Sequence, residues 1–232
     1  MLRELLSIFR PGNPLQAMAD NFAKMIDLTH EQTVKAGEIY FSRTTSPESR
    51  SEIRRMDVEV NKLERKIRKQ VIQRLSLRGT TQQVPYSLLL MSLVKDVERI
   101  GDYAKNLSEV VDFSSDPLPD DEITAELREF RKFVETAFGS TAEIFSASDR
   151  EGAIELITAG RGLAQRSDAL LSRIARSDYN ASLTTSAILG TRYYKRIGAH
   201  LLNILSSVVM PLHKLDYYDE SSTDIGGSSR SA

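Results

Sequence analysis

The sequence predicts an all-α protein in which six long helices form two tandem three-helix bundles with up-down topology. Three observations lead to this prediction. The 232 residues include only 12 glycines and 7 prolines, too few for a loop-rich β protein. Turn-forming residues cluster at a few places and leave six long segments between them. Apolar residues in these segments recur at alternating steps of three and four, which is the period of helices packed in bundles.

Turn-forming residues set the boundaries of the first three predicted helices. The first helix ends at a turn before Ser46, Pro47 and Glu48, a typical helix start with proline in the first turn. The second ends near Gly79, and the third begins near Pro85. The residues that keep the three-and-four step are Ile53, Met56, Val60, Leu63 and Ile67 in the second helix, and Leu93, Val97, Ile100, Ala104, Leu107 and Val111 in the third.

The last three helices are bounded in the same way. An acidic stretch at 116–122 predicts the start of the fourth helix, and residues 148–151 resemble a capping box at the start of the fifth. The sixth follows a turn at 177–180. Its apolar positions repeat those of the third helix 97 residues later, at Gly190, Tyr194, Ile197, Leu201, Ile204 and Val208.

Identical residues in the third and sixth helices indicate an internal duplication. We therefore expect one three-helix unit at 13–113 and a second at 120–215. Segment 1–12 is amphipathic and is expected to dock or fray, and the serine- and glycine-rich tail at 219–232 is expected to be disordered. The identical pairs at the repeat offset are Arg99 and Arg196, Ile100 and Ile197, Gly101 and Gly198, and Asn106 and Asn203.

Two features of the repeat carry local expectations. Gly101 and Gly198 lie in mid-helix, where glycine costs about 1 kcal/mol relative to alanine, so a close approach by a neighbouring helix is expected to compensate. His200 takes the position of Tyr103 on the flank of the apolar seam, where a packed or surface role is expected rather than a ligand role.

Composition excludes several function classes. The 31 basic and 32 acidic residues give a net charge of −1, which is unlike a general nucleic-acid binder. The absence of cysteine excludes disulfides, thiolate metal sites and thiol catalysis. No phosphate-binding glycine loop, Gly-x-Ser-x-Gly elbow or His-Glu-x-x-His helix occurs, so no enzyme activity and no catalytic residue is predicted. The longest apolar run, 87–94, is too short to span a membrane, and no secretory signal is visible, so a cytoplasmic protein is expected.

Acidic residues on the third helix form a candidate metal site. At about 100° per residue, Glu98, Asp102 and Asn106 line up on a stripe that faces away from the apolar seam. Carboxylate and amide oxygens one turn apart are able to bind a divalent or ferric ion. On the second helix, Asp57 and Asn61 flank the seam and are candidate additional ligands. The alternatives are a solvated stripe and an Asp57 paired with Arg54 or with a lysine.

The second helix carries the main concentration of positive charge. Between Ser46 and Gly79 there are ten lysines and arginines against five acids. Because these charges are distributed around the helix, we interpret it as a solvated helix with salt bridges. Docking of an acidic partner surface or of an anionic lipid surface is the alternative.

Residues 96–106 read Asp-Val-Glu-Arg-Ile-Gly-Asp-Tyr-Ala-Lys-Asn. This stretch resembles the signature helix of the PhoU family of phosphate-uptake regulators, with Glu98 and Asp102 as its acidic element. The second helix is also similar to that family's corresponding helix, and the six-helix layout extends the resemblance over nearly the whole chain. The residues of the second helix that carry the resemblance are Asp57, Asn61, Leu63 and Ile67.

The resemblance implies a cytoplasmic, negative regulator of phosphate transport and phosphate homeostasis. It implies partners such as a phosphate transporter ATPase or a sensor histidine kinase, and multinuclear iron or zinc clusters at the acidic motifs. In the second unit, Lys195 and Ala199 stand where the acidic residues are expected, so a metal is expected only in the first unit, at Glu98 and Asp102 with neighbouring residues.

Two further classes of function remain open. One is a carboxylate-bridged metal-binding or storage module, although such sites use inward-facing glutamates and Glu-x-x-His pairs that are missing here. The other is a structural helical scaffold with no role in phosphate regulation. A homodimer and a peripheral position at the membrane are additional expectations for a chain of this kind.

Overall fold

The structure, a computed structural model, describes residues 15–114, 116–147 and 149–210. The predicted N-terminal segment 1–12 and tail 219–232 lie outside these residues, as do the outer ends of the predicted units. Across the described ranges there are six long helices and no strand, which confirms the predicted fold class. The helices are α1 (Gln16–Ser42), α2 (Pro47–Leu75), α3 (Val84–Glu109), α4 (Glu122–Ala147), α5 (Arg150–Ile174) and α6 (Ala181–Val209).

Side-chain caps explain where several helices begin. The Ser46 hydroxyl accepts a hydrogen bond from the Ser49 amide at 3.1 Å, and Pro47 occupies the first turn of α2, as predicted. Asn180 caps α6 by accepting from the Leu183 amide at 2.8 Å. The cap of α5 is Asp149, which accepts from the Gly152 amide at 2.9 Å.

Neighbouring helices within each unit run antiparallel. In the first unit, Lys24 contacts Glu59 while Lys35 contacts Glu52, so α2 returns alongside α1. In the second unit, Arg173 near the end of α5 contacts Glu122 at the start of α4. This is the up-down arrangement expected of bundles with short connections.

The two units share one continuous apolar core, because α3 and α6 pack against each other as well as against helices of their own unit. Fully buried residues of α3, such as Ile100 and Leu107, belong to the same cluster as Tyr194 and Ile197 of α6. None of the helices in the described ranges has both the length and the apolarity to cross a membrane.

Candidate functional site: the charged groove between α2 and α3

The four predicted site residues lie on the two helices that line one groove of the first unit. Glu98 and Asp102 belong to α3, and Asp57 and Asn61 belong to α2. All four are half-buried; the side chains of Glu98, Asp57 and Asp102 are 13%, 15% and 31% exposed. They lie outside the apolar core, as the helical spacing predicts, but in the groove rather than on open surface.

A lysine joins the acidic residues of the two helices. The Lys105 Nζ lies 3.1 Å from Asp57 Oδ1 and 3.4 Å from Asp102 Oδ1. Burial alone lowers the pKa of Lys105, but the two carboxylates outweigh burial and leave this pKa above its usual value. The structure thus brings Asp57 to the α3 stripe, as expected, through the lysine pairing that was its alternative interpretation.

The remaining carboxylate of the stripe also has cationic neighbours. The Lys95 Nζ lies 2.6 Å from Glu98 Oε2, and the Arg99 Nε lies 3.9 Å from the same oxygen. The Arg99 guanidinium also approaches Asp102, with Nη1 at 3.6 Å from Oδ2. The groove is therefore an internally neutralised ion-pair network rather than a bare acidic stripe.

A metal ion could enter this network only by displacing one of its cations. The Lys105 ammonium lies between two carboxylates, where a bridging metal ion would have to displace it. Among the residues that the structure describes, no group of three or more histidine, aspartate or glutamate side chains could hold a metal ion. Metal binding at Glu98, Asp102, Asp57 and Asn61 stays a prediction.

The corresponding groove of the second unit has different chemistry. Leu202 lies 97 residues after Lys105, and it packs directly against Gly160 of α5. Gly160 lies 103 residues after Asp57, the same separation as the first residues of α5 and α2. An apolar contact therefore replaces the Asp57–Lys105 ion pair.

The position of Glu98 is also changed in the second unit. Lys195, which lies at the repeat offset from Glu98, places its Nζ 2.6 Å and 2.7 Å from the two carboxylate oxygens of Asp168 on α5. At this position the third helix of the first unit thus carries an acid and the third helix of the second unit carries a base. The charge of Lys195 is balanced by Asp168 of the neighbouring helix α5.

Sequence reasoning missed a buried polar contact between the two units. Asp96 of α3, 8% exposed, accepts a hydrogen bond from Asn203 Nδ2 at 3.0 Å and pairs with His200 Nδ1 at 2.8 Å. The His200 ring stacks on Tyr103, which in turn lies 6.2 Å from Tyr193 between ring centroids. The heptad pattern of one helix holds no information about which residues of a second helix it will meet.

The Asp96–His200 and Tyr193–Tyr103 contacts are related by the repeat. Tyr193 lies 97 residues after Asp96, and His200 lies 97 residues after Tyr103. The two contacts therefore occupy equivalent positions about a pseudo-twofold axis, one polar and one aromatic. A sequence comparison of the repeats alone identifies these positions as equivalent but not as neighbours.

A second polar cluster ties α1 to the start of α6. Arg43, in the left-handed conformation that ends α1 (φ 57°), donates from Nη1 to Ser186 Oγ at 2.6 Å. Its guanidinium carbon lies 4.7 Å from the ring centroid of Tyr40, whose hydroxyl donates to the Ser186 carbonyl at 3.2 Å. Burial raises the pKa of Tyr40 to about 12, so this phenol stays protonated as a donor.

Together these features define a class of protein: a six-helix molecule of two three-helix units that join through their third helices, with an ion-pair network between α2 and α3 of the first unit. Residues 22–111, which span nearly all of the first unit, match the PhoU domain family. The resemblance to this family predicted from the α3 sequence is thus confirmed for the matched segment.

Two crystal structures share the fold over both units. The PhoU of Pseudomonas aeruginosa aligns with a TM-score of 0.76 at 18% identity, covering 86% of this chain and 97% of that chain. The phosphate transport system regulatory protein PhoU of Streptococcus pneumoniae aligns with a TM-score of 0.73 at 19% identity, covering 84% and 93% respectively. A search of curated proteins gives no significant match.

Proposed function

We propose that this protein is a non-enzymatic regulator of phosphate uptake and phosphate-starvation signalling, and that it acts in the cytoplasm through protein–protein contacts. The observation that carries the proposal is the PhoU domain match over 22–111, which includes the α3 stretch with Glu98 and Asp102. The similar structure from Streptococcus pneumoniae is that of a phosphate transport system regulatory protein, which supports the same assignment. A transporter ATPase or a sensor histidine kinase are the proposed partners, and a homodimer is the proposed assembly.

Gene deletion tests the regulatory role. Loss of the protein is expected to change the output of a phosphate-starvation reporter under phosphate-replete conditions, and the wild-type gene is expected to restore it. A Glu98→Gln, Asp102→Asn variant alters the first groove. Its control is an Asp168→Asn variant, which alters the second groove and is expected to restore the reporter output. An unchanged reporter after deletion would defeat the proposal.

Iron or zinc binding in the first unit is a separate proposal with its own test. Elemental analysis of protein purified without chelator is expected to show stoichiometric metal that is lost in a Glu98→Ala, Asp102→Ala variant. A metal-free wild type would remove the proposal. Because the Lys105 ammonium lies between Asp57 and Asp102, a Lys105→Ala variant is expected to bind metal more tightly than the wild type does.

A further inference from the structure

The end of the first unit that contains the α2–α3 turn combines exposed positive charge with exposed aliphatic side chains. We call this surface the basic end and define it by Arg65, Lys69, Ile72, Leu77, Arg78 and Leu88. Residues 65–94 contain six lysines and arginines and no acidic residue. We propose that the basic end docks on a membrane surface rich in anionic phospholipid.

The positive charges of the basic end are available to a ligand. Arg65, Lys69 and Arg78 are exposed, and none of them makes an ion pair or hydrogen bond to another residue in the described ranges. Arg65 and Lys69 lie on one outward line of α2 together with Ile72, because they are separated by steps of four and three. These two cations and Ile72 therefore share one side of α2.

The aliphatic side chains surround the turn at the tip of the unit. Ile72, Leu77 and Leu88 are 65%, 55% and 53% exposed, among the most exposed large apolar residues of the described chain. Arg74 near the end of α2 donates from Nε to Gln83 Oε1 at 2.5 Å, which ties α2 to the short turn before α3. The turn therefore presents aliphatic side chains beside cations, and the Arg74–Gln83 hydrogen bond links its two ends.

An anionic bilayer satisfies both parts of this surface. Each lysine or arginine near an anionic membrane contributes about 1 kcal/mol, which is about fivefold in affinity, and aliphatic side chains gain by entering the acyl boundary. The arginines of this surface would also suit a protein partner, but its exposed leucines favour the membrane, because leucine is under-represented among protein interface anchors. A second copy of the chain docked by the same surface would bring like charges together.

The N-terminal residues are attached at the same end of the unit. Asn21, one turn into α1, donates from Nδ2 to Gln70 Oε1 at 3.0 Å and accepts from Lys66 Nζ at 3.0 Å, so α1 begins beside the end of α2. The sequence that precedes α1 includes Leu2, Leu5, Leu6, Ile8 and Phe9 with Arg3 and Arg10. At this end α1 also contributes an acidic residue, Asp20, whose carboxylate accepts a hydrogen bond from the side-chain amide of Gln16.

Vesicle co-sedimentation of the full chain tests the proposal. The protein is expected to sediment with vesicles that contain phosphatidylglycerol but not with vesicles of phosphatidylcholine alone, and added salt is expected to release part of it. If the protein stays in the supernatant with anionic vesicles, the proposal is overturned and an acidic protein becomes the better occupant.

Matched variants locate the surface. An Arg65→Gln, Lys69→Gln, Arg78→Gln variant is expected to lower the partition coefficient by about 100-fold, the product of three fivefold effects. The control removes three exposed cations of the second unit, Lys132→Gln, Arg192→Gln and Arg196→Gln, and is expected to bind as the wild type does. Equal losses in both variants would show that net charge alone matters and would overturn the assignment of the basic end.

The aliphatic part needs its own pair of variants. Ile72→Ser, Leu77→Ser, Leu88→Ser is expected to weaken vesicle binding at least several-fold, whereas Ile154→Ser, on the exposed side of α5, is expected to have no effect. A chain lacking residues 2–10 is expected to keep its dependence on Arg65, Lys69 and Arg78. If that dependence is lost, the N-terminal residues and not the basic end bind the membrane.

Discussion

Glycines in mid-helix allow bulky side chains to cross between the two units. A methyl group at Gly190 of α6 would overlap the hydroxyl of the buried Tyr40, which comes from α1. The glycines expected to be tightest behave differently. At Gly101 the nearest atom to such a methyl group is Gln32 Oε1 at 3.1 Å, whereas at Gly198 it is Val134 Cγ2 at an ordinary 3.8 Å. The expected close approach is thus present at Gly101 and absent at Gly198.

Alanine substitutions at Gly190 and Gly198 are expected to act in opposite directions. Gly190→Ala is expected to lower the free energy of unfolding by about 1–2 kcal/mol, because overpacking exceeds the gain in helix propensity. Gly198→Ala is expected to raise it by up to about 1 kcal/mol, because helix propensity acts there without a clash. Urea unfolding measures both. A stabilised Gly190→Ala variant would show that Tyr40 does not depend on this glycine.

The residues of the candidate site could be predicted in part from the sequence. Helical spacing places Glu98 and Asp102 one turn apart, and it places Asp57 on the flank of the apolar seam of α2. It does not show that Lys105 crosses to Asp57, because the reach of a side chain between helices depends on their relative axial position. This position is set by the packing of whole helices rather than by the pattern of any one of them.

Capping contacts determine where several of the helices begin. The Ser46-Pro47 start of α2 could be predicted because its cap residue and its proline act within four residues of each other. The α4 start depends on more distant contacts. Asp121 accepts from the Thr124 amide at 3.0 Å and also accepts a short hydrogen bond from the Tyr179 hydroxyl, which lies before α6.

Removal of the α4 cap is expected to destabilise the protein. Asp121→Ala is expected to lower the free energy of unfolding by about 1–2 kcal/mol, because it removes the cap and the partner of Tyr179. Asp121→Asn keeps an acceptor oxygen and is expected to cost less than half as much. Thermal unfolding of the two variants at neutral pH makes the comparison. Equal losses would mean that the charge of Asp121, rather than its acceptor geometry, stabilises α4.

Asp121 also gives this cap a pH dependence. Burial alone raises the pKa of Asp121, but hydrogen bonds from Tyr179 and from the Thr124 and Ile123 amides outweigh burial and leave the pKa below the usual 3.8. The folded protein therefore binds this proton less tightly than the unfolded chain does. Its contribution to stability is full above about pH 4 and is lost as the pH falls through the folded pKa. The Asp121→Asn variant is expected to lose less stability than the wild type over that range.

The shared core makes the whole molecule one cooperative structure. Buried residues of all six helices belong to one apolar cluster, and a smaller cluster at the far end of the second unit includes Ile157 and Leu205. We expect a single unfolding transition by calorimetry, with the calorimetric enthalpy equal to the van't Hoff enthalpy. Two separated transitions would contradict this expectation, because they would show that each unit folds on its own.

The polar contact between the units is expected to contribute to this cooperativity. Asp96→Ala is expected to lower the free energy of unfolding by about 1–3 kcal/mol, because it leaves His200 and Asn203 without their acceptor. Asp96→Asn retains one acceptor oxygen and serves as the matched control. If Asp96→Ala unfolds at the same urea concentration as the wild type, the contact does not stabilise the joined units.

The duplication could be predicted from the identical residues at the 97-residue offset, but the way in which the units join could not. The repeat shows that α3 and α6 are equivalent; it does not show that they face each other. The joining surface becomes clear only from contacts such as Asp96 with His200, between residues that have no counterpart of the same chemistry in the other unit.

The two units place opposite charges at one equivalent position of their third helices. Glu98 and Lys195 occupy matching places on α3 and α6, so half a turn about the pseudo-twofold axis exchanges a carboxylate paired with Lys95 for an ammonium paired with Asp168. A ligand that recognises shape alone could bind in two poses, whereas one that recognises charge is limited to a single pose. Because the two units differ in chemistry, one ligand can bind per chain although the repeated backbone provides two equivalent positions.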